Sequence, residues 1–322
     1  MTDLVVWGLG SLGRPVLDRI ADRHPRRELV AVVRDPDRPP PLPPNVTAAG
    51  LEVLAGTAAP VLVCVADNEA EVLRPYLAGG RIEAGRAAVA RRNLALLERH
   101  VETRHWKERP VLVVTNPVEP LCGYLAGAVG CRPVYGAGMQ IDAERCRTVL
   151  AVGWHVRLAP DELPMTGTHG MTPVPVLSAV PGLARQVAGE PWPEVCARLC
   201  AAAAGLDWVL APERLVATLT ARMPEPADDP YARVGLAVAA LMAAEFSGGR
   251  PPTARAAAHV AALVDAWFAG GTVPASGACA WPGVPGEVFV GGVADFATGR
   301  FTVPALDATE TALVRGQLAA AL

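Results

Sequence analysis

Leu4-Val5-Val6-Trp7-Gly8-Leu9-Gly10-Ser11-Leu12-Gly13 is the stretch on which the reading of the fold turns. Four apolar residues in a row, without polar alternation, predict a short strand buried on both faces. Three glycines in G-x-G-x-x-G spacing end it, and Val16, Leu17 and Ile20 then recur at helical spacing. A second unbroken apolar run, Leu29-Val30-Ala31-Val32-Val33, follows. Strand, glycine turn, helix and strand within about 30 residues form a βαβ unit.

Further along, Val61-Leu62-Val63-Cys64-Val65 and Val111-Leu112-Val113-Val114 read as two more buried strands. Between them, residues 86–104 carry Val89, Leu94, Leu97 and Val101 at helical spacing. Residues 36–44, PDRPPPLPP, are neither helix nor central strand, because proline lacks an N–H and fixes φ; they predict a stiff surface loop. Strands alternating with helices give an α/β fold with a Rossmann-type doubly wound parallel sheet over residues 1–140.

Residues 141–322 read as a separate α+β catalytic domain. Residues 193–223, 231–246 and 253–269 are Ala-rich helices, the last with Ala257, Val260, Ala261, Val264 and Phe268 on one face. Residues 287–290 and 300–303 predict antiparallel strands, with turns at Gly291-Gly292 and Thr298-Gly299. Asp307 is the expected N-cap of a final helix, with Glu310 three residues on.

Composition narrows the function classes. Hydrophobic residues make up 51% of 322 and charged residues 19%, which suits a globular chain with a large core and excludes disorder. Twenty-nine Lys+Arg against 32 Asp+Glu excludes nucleic-acid binding by bulk positive charge. Seven cysteines, an odd number, include no C-x-x-C, and Cys196 and Cys200 have no second ligand pair nearby, so reduced thiols and no metal site are expected. The chain opens directly into a strand, without the basic and apolar regions of a signal peptide, and holds no long uncharged apolar run. A cytoplasmic protein with no membrane partner is the expectation.

Each glycine of the first turn has a physical task. Gly8 permits the tight turn, Gly10 keeps a side chain away from a pyrophosphate, and Gly13 lets helix and strand pack closely. Gly8, Gly10, Ser11, Leu12 and Gly13 therefore form a candidate dinucleotide loop, with the helix N-terminus supplying N–H groups and a positive dipole. The end of the second strand usually carries an acid for the ribose hydroxyls. That place falls here on Val33 or Arg34, with Asp35 slightly late. Arginine there favours a 2′-phosphate, hence NADP over NAD, whereas a displaced Asp35 would restore NAD.

Four other segments recur in a recognisable order: Thr115-Asn116-Pro117-Val118; Asp142-Ala143-Glu144-Arg145; Thr168-His169-Gly170 with Val174-Pro175; and Val288-Phe289-Val290-Gly291-Gly292-Val293. Together with the glycine loop they resemble the lactate/malate dehydrogenase family over nearly the whole chain. Asn116-Pro117 is similar to its Asn-Pro signature, Asp142-x-x-Arg145 to its Asp-x-x-Arg helix, and His169-Gly170 to its His-Gly segment; the 27 residues from Asp142 to His169 match the family spacing.

The resemblance implies an NAD(P)-dependent oxidoreductase acting on the CH–OH group of a 2-hydroxy acid. His169 would be the acid–base group, and Asp142 would hold its other ring nitrogen. Arg145 would clasp the substrate carboxylate through a bidentate fork. Asn116 would donate to the substrate oxygen and orient the nicotinamide side. A substrate lid over about residues 79–92 would carry Arg86, which swings over the carbonyl seven residues before Asn93, and Arg81, positioned for a second carboxylate. Arg81 favours a malate-like over a lactate-like substrate. The family also implies a homodimer or homotetramer.

The chain departs from the family at its flanks. Met171 stands where an acid often follows His-Gly, Thr168 replaces a glutamate, Glu144 replaces a small residue, and PDRPPPLPP replaces a helix. These changes point to a substrate of its own, in a specialised pathway. Two other readings stay open: a catalytically silent binding or scaffold protein on the same fold, and an enzyme acting on an imine or carrier-bound carbonyl.

Overall fold

In the computed structural model Leu4–Trp7 forms β1, and its four side chains are buried alternately on the two faces of one sheet. Leu4 and Val6 join one apolar cluster, Val5 and Trp7 the other. Val61–Val63 (β4) and Val111–Val113 (β5) divide in the same way, with Leu62 and Leu112 opposite their valine neighbours. A strand covered on both faces has no reason to alternate with polar residues, which accounts for the unbroken apolar runs. The structure describes residues 2–66, 72, 82–170, 173–203, 205, 228–245 and 253–321.

The elements run β1, α1 (Gly13–Arg23), β2 (Leu29–Val32), β3 (Val46–Ala49), α2 (Val53–Gly56), β4, α3 (Ile82–His100), α4 (Thr103–Trp106), β5, α5 (Val118–Tyr124), β6 (Val134–Gly136) and α6 (Met139–Gly153). Then come β7 (Met165–Gly167), β8 (Pro173–Pro175), α7 (Leu183–Gly189), α8 (Trp192–Ala203), α9 (Pro230–Glu245), α10 (Thr253–Ala269), β9 (Thr272–Ala280), β10 (Glu287–Asp295), β11 (Arg300–Thr302) and α11 (Ala308–Ala321). The large sheet has the order β11-β10-β9-β6-β5-β4-β1-β2-β3. Neighbours from β3 through β6 are parallel, and β9 joins β6 antiparallel. The expected doubly wound sheet is therefore present, and β7 and β8 make a separate antiparallel pair.

Contacts divide the chain into two units. The first comprises Met1–Gly138, Thr253–Phe289 and Val293–Phe301; the second Met139–Pro252, Val290–Gly292 and Thr302–Leu322. A linear division at residue 140 assigns α10 to the second half of the chain, whereas α10 packs in the first unit. Ala257, Val260, Ala261 and Val264, the face read from its periodicity, share a cluster with Val16, Leu17 and Ile20 of α1.

Two local expectations are corrected, and most of a third lies outside the described residues. No turn breaks the chain at Gly291-Gly292: β10 runs straight through, and neither glycine has a positive φ. A Cβ on Gly291 would run into the Met139 sulfur and stand 3.0 Å from the Thr166 Cα, so this glycine serves close packing. β3 and β9 appear where no strand is expected, because Val46-Thr47-Ala48-Ala49 and the Pro- and Gly-containing 272–280 carry weak apolar patterns. The helix expected over 193–223 is described only as α8, Trp192–Ala203; residues 206–227 lie outside the described residues.

Residues 36–44 form neither helix nor strand, as the prolines require. The turn at 298–299 is present, with Gly299 at φ +68. The final helix is capped reciprocally: the Glu310 N–H donates to Asp307 Oδ1 at 2.8 Å, and the Asp307 N–H to Glu310 Oε2 at 3.0 Å. Glu310 also accepts from Ser178 and the Tyr231 hydroxyl, so one carboxylate ties α11 to two other segments of the second unit. Among the described residues no helix is long and apolar enough to cross a membrane.

Candidate functional site

In the first unit, β1 delivers the chain into the glycine loop at the carboxyl end of the sheet. Two of the three glycines are required by the fold itself. Gly8 has φ +104, and a Cβ there would lie 2.6 Å from the Val65 backbone. A Cβ on Gly13 would collide with the Gly8 carbonyl oxygen. Around Gly10 nothing lies within 4 Å of the place a Cβ would occupy. The fold itself therefore leaves room for a side chain at Gly10. Ser11 and Leu12 lead into α1, whose N-cap, Leu12, offers no side-chain cap, and whose first turn contains no acid. The helix start is thus suited to an external anion. Gly10→Ala is expected to leave thermal stability nearly unchanged while weakening dinucleotide binding, whereas Gly13→Ala should lower the melting temperature by several degrees, on the order of 1 kcal/mol or more. Calorimetry with a cofactor titration separates the two.

β2 ends at Val32, and Arg34 follows two residues later as an exposed side chain. Asp35 is also exposed, and its Oδ1 accepts the Asp37 N–H at 3.2 Å, closing the turn into the proline loop. Asn116 follows β5 and is joined to Pro117 by a cis peptide bond. Asn93, 1% exposed, donates from Nδ2 to the Asn116 carbonyl at 2.6 Å, so α3 holds this segment in place. The Thr115 hydroxyl ties the same segment to the Val65 carbonyl. Arg86 sits on α3, so the described part of the expected lid, from residue 82 onward, is helix. Arg81 lies outside the described residues.

The second unit gathers the other residues. On α6, Asp142 and Arg145 are three apart and share a face. His169 stands in the connection between β7 and β8. Its Nδ1 is 2.6 Å from Asp142 Oδ2, and the Gly170 N–H donates to the same oxygen at 3.1 Å. Asp142 is fully buried. Burial pushes its carboxyl upward, but His169, Arg145 and the Gly170 N–H together outweigh that and hold it below the usual aspartate value. An ionised Asp142 accepts from Nδ1 and so makes Nδ1 the protonated nitrogen of a neutral His169.

A fourth member lies outside the segments that the sequence reading singles out. Arg145 is 3% exposed, and its Nε and Nη2 both reach Glu245 Oε2, at 2.9 and 2.6 Å. Its Nη1 donates to Asp142 Oδ1 at 3.1 Å. Burial works against the guanidinium charge, but the two carboxylates more than compensate, and its pKa is raised. Glu245 is fully buried at the end of α9, a hundred residues from its partner. The available signal is composition: Arg233 and Glu245 are the two charged residues of the 16 in this Ala-rich helix. Among the described residues no group of His, Cys, Asp and Glu gathers to hold a metal ion.

No family model matches the chain. Solved structures do. The lactate dehydrogenase of Cryptosporidium parvum, complexed with lactic acid and β-nicotinamide adenine dinucleotide, superposes with a TM-score of 0.60 at 16% identity, over 99% of this chain and 95% of that one. The lactate dehydrogenase of Eimeria maxima with NADH and oxamate gives 0.58 at 11% identity, over 99% and 92%. Cryptosporidium parvum malate dehydrogenase gives 0.59 at 13% identity, over 99% and 96%. The resemblance read from four short segments thus extends over the whole chain, which has the fold of the lactate and malate dehydrogenases.

Proposed function

We propose that the protein is a nicotinamide-dependent oxidoreductase that interconverts a CH–OH group and a carbonyl in compounds of the 2-hydroxy acid type. The observation that carries this reading is the partly buried His169 paired with the fully buried Asp142, with Arg145 one turn along α6. His169 Nε2 gives a proton to the carbonyl oxygen on reduction and takes it back on oxidation; Asp142 fixes the ring and stabilises the imidazolium. Arg145 faces the substrate's carboxyl end, Asn116 orients the carbonyl, and Arg86 polarises it. The first unit, with Gly8, Gly10, Ser11, Leu12 and Gly13, is the dinucleotide-binding part. Gly10 and the uncapped start of α1 fit a pyrophosphate, and a nicotinamide bound there would supply the hydride. A malate-like substrate is favoured over a lactate-like one if Arg81 supplies a second cation, and a homo-oligomer is the expected assembly. The test is consumption of NADH and NADPH by the purified protein across a panel of 2-oxo acids and their derivatives. Failure of every carbonyl compound would leave the silent scaffold reading in its place.

The cofactor part of the proposal is NADP over NAD. Valine at the ribose position cannot accept from the 2′- and 3′-hydroxyls, Asp35 is engaged in its own turn, and the exposed Arg34 is the nearest cation for a 2′-phosphate. A charge-assisted contact contributes roughly 1.5–3 kcal/mol, about a tenfold to hundredfold preference. NADPH should bind more tightly than NADH by that factor, and Arg34→Ala should abolish the difference in a fluorescence titration. A preference for NADH, the reduced form of the cofactor in the two lactate dehydrogenase structures, would overturn it.

A further inference from the structure

We infer that Glu245 is a specificity-determining residue that offsets the charge of Arg145, so that the substrate is a 2-oxoacyl compound with its carboxyl masked as an amide, ester or thioester. The inference rests on the hydride-transfer reading above and names the substrate class for it.

The argument begins with the guanidinium. A bidentate clasp needs two parallel N–H donors on one edge of the plane. Glu245 holds the Nε–Nη2 edge of Arg145 and Asp142 holds one Nη1 N–H, so one N–H on Nη1 and one on Nη2 are left over, on a guanidinium that already faces two carboxylates. Both carboxylates are fully buried. In the reduction direction a site of this type has His169 protonated. The imidazolium and guanidinium then already face Asp142 and Glu245 before any substrate arrives. A lactate-type substrate would bring a third carboxylate to one guanidinium in a water-poor place. It enters only against Glu245, which holds a buried partner, and displacing one member of a desolvated ion pair is costly.

A masked carboxyl meets neither obstacle. Its carbonyl oxygen is neutral and accepts one of the N–H groups on Nη1 or Nη2 that Glu245 and Asp142 leave over, since a guanidinium has five donors. The chemistry is otherwise unchanged. The carbonyl carbon accepts hydride from the reduced nicotinamide, the oxygen accepts a proton from His169, and the nicotinamide ends oxidised. Arg145, which by sequence pointed to a free acid, is thereby compatible with a neutral one.

The experiment compares kcat/KM for pyruvate and oxaloacetate with kcat/KM for pyruvamide and methyl pyruvate, in wild type and in Glu245→Gln. Glutamine keeps the shape and can still accept from Arg145, but it removes the competing charge. Wild type should prefer the masked compounds at least tenfold. Glu245→Gln should move that ratio at least tenfold toward the free acids, mainly through KM for the acids. Should the variant fold poorly, inhibition of wild type by oxamide and by oxamate decides the point: oxamide should inhibit more tightly. Preference of wild type for free acids, tighter inhibition by oxamate, or an unchanged ratio in Glu245→Gln overturns the inference while leaving the hydride-transfer reading standing. No consumption of reduced nicotinamide with any of the four compounds overturns that reading and this inference with it.

Discussion

His169→Asn is expected to lower kcat by about 10²–10⁴-fold while cofactor affinity stays within twofold of wild type. Asparagine retains a donor toward Asp142 but has no group that exchanges a proton near neutrality. The candidate cofactor residues at 8–13 are themselves unchanged by the substitution. Asp142→Asn is the companion test. It replaces a carboxylate that serves both His169 Nδ1 and Arg145 with a neutral amide that has one acceptor oxygen, and turnover should fall by a comparable factor. Its stability carries a second signature. Asp142 has its pKa depressed on folding, so the stabilisation it gives is present above the unfolded value, about 3.9, and is lost as pH falls through the lower folded value. The asparagine variant should lack that part of the acid-end loss in a plot of melting temperature against pH. Normal turnover in His169→Asn would remove it from the proposed role.

These residues were legible in the sequence because each sits in a short segment whose local pattern carries its chemistry. Asp142 and Arg145 are one helical turn apart, His169 follows β7 by two residues, and the glycines follow a strand. The buried strands were legible for the same reason: an apolar run covered on both faces is a local property. What the sequence hid is non-local. Helix α10 reads correctly as a helix with the correct buried face, but its partner is α1, more than two hundred residues earlier. Gly291-Gly292 looks like a turn because glycine usually marks one; here it admits the Met139 side chain against a straight strand. Glu245 is the most consequential case. An acid at the end of an Ala-rich helix reads as a solvated terminus, and only the packing of α9 on α6 makes it the partner of Arg145.

That pairing carries the largest expected effect on stability. Arg145→Met should destabilise the protein by about 3–5 kcal/mol, a large part of an ordinary protein's total stability. Methionine fills much of the arginine stem's volume, so the loss is electrostatic rather than a cavity. The guanidinium faces Asp142 and Glu245 together, both fully buried, and without it their charges remain desolvated. Arg145→Lys should fall between the two, because a single ammonium cannot serve the Nε–Nη2 edge and Asp142 at once. The double variant Arg145→Met/Glu245→Met should recover most of the loss, since removing both members of a buried pair in favour of apolar side chains is often close to neutral. Hydrogen exchange of α6 and α9 amides, with urea unfolding of the whole chain, measures all three. A loss under about 1 kcal/mol in Arg145→Met, or no recovery in the double variant, would mean that the pair is relieved by solvent and that Glu245 exerts no hold on the arginine.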